Sequence, residues 1–352
     1  MYVNPTVDLE KIASQLVADR YVTRRFKSHL LGFLSEAYGL GTNPYEPDLE
    51  IFVNAQSNTY QKEINNICGS VQLSPVRVNS HSRKTIARVP DCGFLDFSNS
   101  KILYDSGAFT DVLTNCRVTP EEALDKQLST LKRLPRVRET FLVSYDLLID
   151  EKYVNGTRKK ERWTVSEGDK AVDATVAAAE YLNSQRYRLQ DFTLVQSCQG
   201  VNAEQYKSCV EEVLAYCQPG DCLGLGGWCI LGKQKRWLPT FFQVIDEIIP
   251  AIAEAGIDRV HIFGVTWYKP IRGCIPPLPV LLHQCDRYGI KLTTDGRSPI
   301  GNALWSDWRK AGATFPYWRH NLAWVKAETA TLRDSPFYQK VSPPKTQQLT
   351  LF

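Results

Sequence analysis

Short runs of β-branched, aromatic and other apolar residues alternate with helical segments from about Ile51 onward. This alternation is typical of parallel βαβ units. Repeated about eight times in roughly 280 residues, it favours a (β/α)8 TIM barrel within the α/β class over a six-stranded open sheet with a second domain. The candidate strands are Ile51–Asn54, Ile102–Tyr104, Phe141–Tyr145, Phe192–Gln196, Cys222–Leu225, Arg259–Gly264, Ile290–Thr294 and Ala313–Phe315.

The segments outside this alternation suggest three parts of the chain. Apolar residues at helical spacing predict two helices before Gly39, so residues 1–48 are expected to form an N-terminal helical extension. Residues 49–330 are expected to form the TIM-barrel domain. Residues 331–352 end in a stretch with prolines and no periodicity, which predicts a C-terminal tail.

Local signals mark where individual elements begin and turn. Thr119-Pro120-Glu121-Glu122 combines an N-cap residue, a proline at the first helical position and the carboxylate of a capping box. Tyr153-Val154-Asn155-Gly156-Thr157 predicts a hairpin turn. Further segments with helical spacing are Asp169–Ser184, Ala203–Cys217, Pro239–Ala255 and Pro279–Tyr288.

The composition excludes several classes of protein. The chain has 352 residues, of which 43% are hydrophobic and 23% charged, and no apolar run near Met1 has the length of a signal peptide or a membrane span. The net charge is 42 − 38 = +4, too small for a histone-like nucleic-acid binder. Ten cysteines without a Cys-x-x-Cys pair indicate buried thiols in a reducing compartment. We therefore expect a soluble cytoplasmic protein.

Polar residues cluster directly after the predicted strands. In a barrel of this class the chemistry takes place at the carboxyl ends of the strands, so these residues form the candidate site. They are Asp105-Ser106-Gly107-Ala108-Phe109, Asp146, Ser197-Cys198-Gln199-Gly200, Gly226-Gly227-Trp228, Gly264-Val265 and Asp295-Gly296-Arg297-Ser298-Pro299.

Three aspartates in this set, Asp105, Asp146 and Asp295, follow three different predicted strands. In a closed barrel all three would point into one opening, where mutual repulsion would separate their pKa values and permit distinct acid and nucleophile roles. The alternative for Asp105 or Asp146 taken singly is a helix N-cap, a common role for an aspartate after a strand.

The set resembles the tRNA-guanine transglycosylase superfamily, and within it the DpdA-type branch, which inserts 7-deazaguanine bases into DNA. The resemblance extends over roughly Ile102 to Asn302 and keeps the order Asp-Ser-Gly-x-Phe, strand-Asp, Gln-Gly, Gly-Gly, Gly-Val and Asp-x-x-Ser-Pro. It implies a base exchange in which guanine is replaced by a 7-deazaguanine derivative such as 7-cyano-7-deazaguanine, without a cofactor.

The resemblance also implies a role for each matching residue. Asp295 corresponds to the nucleophile that forms a covalent aspartyl-sugar intermediate, and Asp105 to the general acid and base. A carboxylate, an amide and a glycine turn would read the guanine edge, and an aromatic ring would stack on the base. The implied substrate-binding residues are Asp146, Gln199, Gly226, Gly227, Phe109 and Ser106.

The sequence departs from the family pattern at three places. Ala108 stands where the commonest form has a second glycine, and Gln196 competes with Gln199 for the base-reading role. The tRNA-acting members carry three cysteines and a histidine downstream of the nucleophile, whereas no cysteine follows Cys285 here. We therefore expect no metal site, and DNA rather than tRNA as the substrate.

Elementary chemistry supports the same residue types. Base exchange without cleavage of the backbone requires a carboxylate that attacks the sugar C1′ and a second one that protonates the departing base. Guanine presents two donors, at N1 and the exocyclic amine, and an acceptor at O6, so a carboxylate with backbone N–H groups is complementary to it. A guanine in a duplex must be flipped out, and an aromatic face then offsets part of the lost stacking.

Three alternatives stay open. They are the same chemistry on tRNA, a catalytically silent nucleic-acid-binding subunit that retains the barrel, and a retaining glycosidase that uses Asp105 and Asp295. The silent subunit would be favoured by loss of the nucleophile, yet all three aspartates are present.

Two further features concern partners. Four basic clusters are present, and such runs are usually solvated surface. The second, third and fourth lie beyond the segments that form the opening, where a phosphate backbone would run. The last residues, Gln348-Leu349-Thr350-Leu351-Phe352, resemble the short peptides by which bacterial replication and repair proteins bind the sliding clamp. The alternative is a frayed terminus that folds back on the barrel. The basic clusters are Arg20/Arg24/Arg25/Lys27, Lys132/Arg133/Arg136/Arg138, Arg158/Lys159/Lys160/Arg162 and Lys233/Lys235/Arg236.

Overall fold

The computed structural model describes most of the chain between its termini. The described residues are 8–18, 24–41, 43–44, 47–54, 70–73, 77–78, 85–86, 101–109, 111, 117–132, 137–149, 152–154, 157–159, 163–229, 231, 235–270, 273–296 and 317–338.

Among these residues, eight parallel strands form a closed barrel. The barrel strands are β1 (Glu50–Asn54), β2 (Ser70–Leu73), β5 (Lys101–Tyr104), β6 (Glu139–Val143), β9 (Thr193–Cys198), β10 (Cys222–Leu225), β11 (Arg259–Ile262) and β12 (Lys291–Gly296). They pair around the barrel in the order β1-β2-β5-β6-β9-β10-β11-β12, and β12 pairs with β1 to close it.

The predicted class, a mixed α/β fold with a parallel sheet rolled into a TIM-like barrel, is confirmed. The sequence pattern locates seven of the barrel strands but misses β2. The predicted strand Ala313–Phe315 lies outside the described residues. Because β12 pairs directly with β1, the barrel closes without a strand between them, and Ser70–Leu73 takes the remaining place between β1 and β5.

Six of the barrel strands are followed by a described helix. The capping box at Thr119 is confirmed: its hydroxyl accepts the Glu122 N–H, and the Glu122 carboxylate accepts the Thr119 N–H. Thr164 and Glu167 form a second capping box. The helices are α1 (Leu9–Ala18), α2 (Arg24–Ala37), α3 (Pro120–Leu131), α4 (Val165–Ser184), α5 (Ala203–Leu214), α6 (Leu238–Glu254), α7 (Pro277–Arg287) and α8 (Tyr317–Thr329).

Two short antiparallel pairs interrupt the alternation. β3 (Arg77–Val78) pairs with β4 (Thr85–Ile86) between β2 and β5. β7 (Lys152–Val154) pairs with β8 (Thr157–Lys159), as the turn signal at Asn155-Gly156 predicts. In chain order, each insertion follows the carboxyl end of a barrel strand, β2 or β6.

The two faces of each barrel strand have different surroundings. On the outer face, Ile102 and Leu142 pack with residues of the helices. On the inner face, Phe52, Leu103 and Phe141 pack together and fill the middle of the lumen. This alternation follows from the two-residue period of a strand.

Ion pairs occupy the lumen at the amino end of the strands. The Lys101 ammonium lies 3.0 Å from a Glu50 carboxylate oxygen and 3.8 Å from Glu139. The Arg259 guanidinium donates to Glu139 at 2.6 Å. Each of these four residues begins its strand. Three of them lie two residues before Phe52, Leu103 or Phe141, and Arg259 lies opposite Cys222. Because those residues line the lumen, all four charged side chains face inward. The amino end of the lumen is therefore closed by charge pairs beneath an apolar layer.

The first two helices pack against the last one. Phe26 of α2 contacts the Trp324 indole of α8 edge to face, at 4.9 Å between ring centroids. The buried Asp48 carboxylate accepts from the guanidinium groups of Arg25 and Arg333, at 3.0 and 2.9 Å. The segments before and after the barrel are thus joined to each other. Of the helices in the described ranges, none is both long and apolar enough to cross a membrane.

Candidate active site

Two of the three aspartates meet at the carboxyl end of the barrel. Asp105 directly follows β5, as predicted. The pattern predicts Asp295 just beyond a strand, whereas β12 extends to Gly296 and includes it. Asp295 pairs with Phe52, whose ring lies in the lumen, so its carboxylate faces the lumen too. Burial raises the pKa of Asp105, and the charge of Asp295 adds to it, so the two carboxyl groups interact at this end of the barrel.

The Asp295 carboxylate is held through a single oxygen. Its Oδ1 accepts the backbone N–H of Gly264 at 2.8 Å and lies 3.1 Å from Nε2 of His261. Asp295 is only 6% exposed, so little water competes for these bonds. No described residue hydrogen-bonds its Oδ2. This second oxygen is therefore the one available to a substrate.

Two features require glycine at position 264: the conformation of its backbone and the lack of space for a side chain. Gly264 has φ +67°, in the left-handed region, and a Cβ there would lie 2.8 Å from the Cys229 Cβ. The left-handed turn directs the Gly264 N–H back toward Asp295. The glycine of the Gly-Val motif thus serves to bind the Asp295 carboxylate.

The Asp105 carboxyl is adapted to carry a proton. Although the residue as a whole is half-buried, burial of the carboxyl is the largest cause that raises its pKa to about 6, and the nearby Asp295 charge adds to it. Hydrogen bonds from the backbone of Gly107 and Ser106 act in the opposite direction. A carboxyl with this pKa exchanges a proton readily near neutral pH, as a general acid and base must.

The loop after Asp105 places the predicted aromatic residue at the opening. The backbone turns at Gly107, which has φ +84°. The Ser106 side chain is buried, and its hydroxyl accepts the Ala108 N–H at 3.4 Å. Phe109 is 42% exposed, although an apolar ring of this size is ordinarily buried. Part of the ring is therefore accessible at the barrel opening, where a base could stack on it.

Asp146 lies beside the glycine turn after β10. A Cβ at Gly226 would approach Asp146 Oδ2 to 3.8 Å and the Cys198 carbonyl oxygen to 3.3 Å, so glycine leaves the space beside the carboxylate open. The Gly226 N–H already donates to the Cys198 carbonyl at 2.8 Å. Gly227 has φ +82°, and its N–H donates to no described residue. The structure thus places the Asp146 carboxylate beside the turn that contains Gly226 and Gly227.

Gln199 is placed near this turn, but its amide has other partners. Its Oε1 accepts the Ile149 N–H at 3.1 Å, and its Nε2 donates to the Leu147 carbonyl and the Thr175 hydroxyl. The side chain is fully buried. In this structure Gln199 therefore supports the loop that follows Asp146, and its amide is not directed at the opening.

Gln196, the other glutamine considered for base reading, has its side chain directed away from the lumen. It pairs with Leu223, which packs in the core between barrel and helices, so its side chain also points outward from the lumen. Gln196 is fully buried, and neither of its amide atoms has a hydrogen-bond partner among the described residues. We have no physical account of this unsatisfied amide.

Two residues that the sequence pattern misses support the carboxylates. The buried Gln127 of α3 donates to the carbonyls of Tyr104, Asp105 and Val143, and so joins the ends of β5 and β6. His261, in the middle of β11, contacts Asp295. A glutamine on a predicted helix and a histidine within a predicted strand give no signal when only the ends of strands are searched.

Among the described residues, no three or more His, Cys, Asp or Glu side chains come together in a way that could hold a metal ion. Cys198 and Cys285 are buried thiols, and burial raises the pKa of both well above the ordinary range. A buried thiol that resists ionisation is a poor metal ligand, because the thiolate is the form that binds.

We predict that the purified full-length protein carries no stoichiometric zinc, because the thiols are scattered and no cysteine follows Cys285. Elemental analysis of protein prepared without chelator measures this directly. One tightly held zinc per chain would contradict the prediction and would favour the tRNA alternative.

Some predicted features lie outside the described residues. These include the tail residues Gln348, Leu349, Leu351 and Phe352, and the Ser298-Pro299 pair after Asp295. Six members of the basic clusters also lie outside the described residues: Arg20, Arg133, Arg136, Lys160, Arg162 and Lys233. The interaction of the tail with a sliding clamp stays a prediction.

No protein-family model matches this chain, and no curated protein matches it significantly. The resemblance to guanine transglycosylases therefore depends on the ordered motifs and on the arrangement of their residues.

Proposed function

We propose that the chain is a base-exchange transglycosylase with a complete (β/α)8 barrel, which replaces guanine in DNA by a 7-deazaguanine derivative such as 7-cyano-7-deazaguanine. One observation carries the proposal: two neighbouring carboxyl groups at the carboxyl end of the barrel differ in environment. Asp105 has a pKa raised to about 6, whereas the Asp295 carboxylate accepts two hydrogen bonds on one oxygen. Such a difference separates an acid from a nucleophile.

In the first half of the exchange, a lone pair of Asp295 Oδ2 attacks C1′ of the target deoxyribose. The bond between C1′ and N9 breaks, and its electron pair leaves with guanine. Protonated Asp105 donates its proton to the departing base and becomes a carboxylate. The sugar is then held as an ester of Asp295, which protects it from loss to water.

In the second half, the incoming 7-deazaguanine base gives the proton on its N9 to the Asp105 carboxylate. Its nitrogen attacks C1′, the ester bond to Oδ2 breaks, and the electron pair returns to Asp295. Both carboxyl groups regain their starting states, so the exchange needs neither a cofactor nor an external acid.

Recognition of the base would use the residues around the glycine turn. The Asp146 carboxylate is suited to accept from N1 and the exocyclic amine of guanine, and the Gly227 N–H is suited to donate to O6. The exposed part of the Phe109 ring would stack on the flipped base. Gln199 and Ser106 would then act by supporting their loops rather than by touching the base.

The basic cluster after β10 supports a nucleic acid as the polymer. Its described members, Lys235 and Arg236, lie between the carboxyl end of β10 and α6, on the side of the opening, where a phosphate backbone would run. The absent downstream cysteines favour DNA over tRNA. A reducing compartment such as the cytoplasm is favoured by the free, buried thiols Cys198, Cys209, Cys222 and Cys285. Exchange on tRNA and a silent binding subunit are the alternatives.

The test is an exchange assay with the full-length protein. Single-stranded DNA, duplex DNA and tRNA, each carrying labelled guanine, are incubated with 7-cyano-7-deazaguanine, and the nucleosides are analysed by mass spectrometry. We expect release of labelled guanine and a modified deoxynucleoside from DNA. Exchange on tRNA alone would support the first alternative. Binding to DNA with no release from any substrate would support the silent subunit.

A further inference from the structure

We propose that His261 is a positioning residue for the nucleophile, a role that rests on the proposed function of Asp295. Its imidazole connects the Thr293 hydroxyl to the Asp295 carboxylate, with Nδ1 2.8 Å from Thr293 Oγ1 and Nε2 3.1 Å from Asp295 Oδ1. All three residues lie on adjacent strands, β11 and β12, and face the lumen.

The ring is enclosed on the inside of the barrel. His261 is 1% exposed. The rings of Phe52 and Phe263 contact it edge to face, with centroids at 5.9 and 4.7 Å. Its two polar contacts are therefore protected from water, and a hydrogen bond to a charged group in such surroundings is stronger than one at the surface.

The partners determine which nitrogen donates. An ionised carboxylate can only accept, so Nε2 must carry the proton that faces Asp295. A ring with a single proton then has an unprotonated Nδ1. The Thr293 hydroxyl has two acceptors within reach, Nδ1 at 2.8 Å and the Val260 carbonyl at 3.4 Å, and it donates its one proton to the nearer of the two. Asp295 thus selects the tautomer, and Thr293 supplies the partner that this tautomer needs on its other ring nitrogen.

This arrangement has two effects on the proposed reaction. His261 and the Gly264 N–H together hold Oδ1, so Oδ2 is directed toward the opening and the carboxylate cannot rotate freely. When the ester bond to C1′ breaks, negative charge returns to Asp295, and the same two donors stabilise it. His261 acts through Asp295 and does not itself contact the sugar or the base.

The tautomer can be measured independently of activity. NMR of the full-length protein labelled with 15N at its five histidines reports which ring nitrogen carries a proton, and His261→Gln identifies the signal. We expect a protonated Nε2 in the wild type. A bare Nε2 in the wild type would overturn the proposal, whatever the exchange assay shows.

Kinetics separate positioning from packing. His261→Leu fills the space but cannot donate, whereas His261→Gln places an amide N–H near the position of Nε2. We expect His261→Leu to lower kcat about 10- to 100-fold with little change in KM, as for loss of a bond to a charged group. We expect His261→Gln to recover most of that loss. His283→Leu on α7, whose ring packs against Tyr338, is the control and should retain kcat.

Two outcomes of the kinetic test would overturn the positioning role. One is a wild-type kcat in His261→Leu, and the other is a loss in His261→Gln as large as in His261→Leu while both variants unfold at the wild-type temperature. Absence of exchange by the wild type on every substrate would instead count against the proposed function. The NMR measurement would then still test whether His261 donates a hydrogen bond to Asp295.

Discussion

Replacement of Asp295 by asparagine or alanine is expected to lower the rate of base exchange by at least about 10⁴-fold, the order seen when a covalent nucleophile is removed. Neither side chain can attack C1′. An asparagine at this position would keep an oxygen that can accept the Gly264 N–H, so the Asp295→Asn variant should fold with near wild-type stability. The denatured wild type should retain a covalent link to DNA when the incoming base is omitted, and neither variant should.

The measurement is release of labelled guanine, together with a denaturing gel that detects the covalent adduct. Asp258→Asn is the matched control, because this aspartate lies before β11 at the opposite end of the barrel and its side chain is 69% exposed. Full turnover by Asp295→Ala would eliminate the covalent mechanism.

Asp105→Asn is expected to lower exchange about 10²- to 10⁴-fold, because an amide can neither protonate the departing guanine nor accept a proton from the incoming base. Since burial and the Asp295 charge raise the pKa of Asp105 to about 6, guanine release by the wild type should slow as the pH rises above about 6. The residual rate of Asp105→Asn should lack that dependence. The same dependence in both proteins would assign the acid to another group.

The same substitution should stabilise the fold at neutral pH. The pKa of Asp105 is about 6 in the folded chain, against about 3.9 for an unfolded aspartate, so the folded state binds the proton more tightly. Stability therefore falls as the pH rises from about 4 to 6, and above 6 the ionised carboxyl costs up to about 3 kcal/mol. Asp105→Asn should recover much of this at pH 7.5 and none at pH 4.

Urea unfolding at pH 7.5 and pH 4 measures this difference, with Asp258→Asn again as the control. Equal stabilisation at both pH values would show that the gain does not come from removing a buried charge. A loss of stability at pH 7.5 would mean that the carboxylate is better accommodated by the Gly107 and Ser106 backbone than its raised pKa implies.

The barrel could be predicted because most of its strands have apolar residues on both faces, as strands covered by helices on one side and packed in a lumen on the other must. β2 has only Ser70-Val71-Gln72-Leu73, too short and too polar to stand out. Its place is fixed by pairing with β1 and β5. The predicted Phe141–Tyr145 misses the first two residues of β6, Glu139 and Thr140. A charged residue such as Glu139 resembles a loop residue until its partner in the lumen, Arg259, is known.

The site was predictable where a residue follows a strand, and less so elsewhere. Asp105 and Asp146 were selected by their position after a predicted strand, and Phe109 by the resemblance. His261 and Gln127 act through contacts between segments far apart in sequence, which no local pattern reveals. The role implied for Gln199 stays untested by activity, but its three hydrogen bonds to Leu147, Ile149 and Thr175 show why an amide next to a glycine is insufficient evidence of base reading.

Above the charge pairs among Glu50, Lys101, Glu139 and Arg259, packed apolar side chains fill the lumen, so the barrel is open only at the carboxyl end of its strands. In the proposed exchange, a guanine released at that end would have to depart through the opening at which the DNA is tethered. The incoming base would use that same passage and could not enter until the first had gone. The two bases would then occupy the enzyme in turn, and the exchange would follow a ping-pong order imposed by the closed end of the barrel.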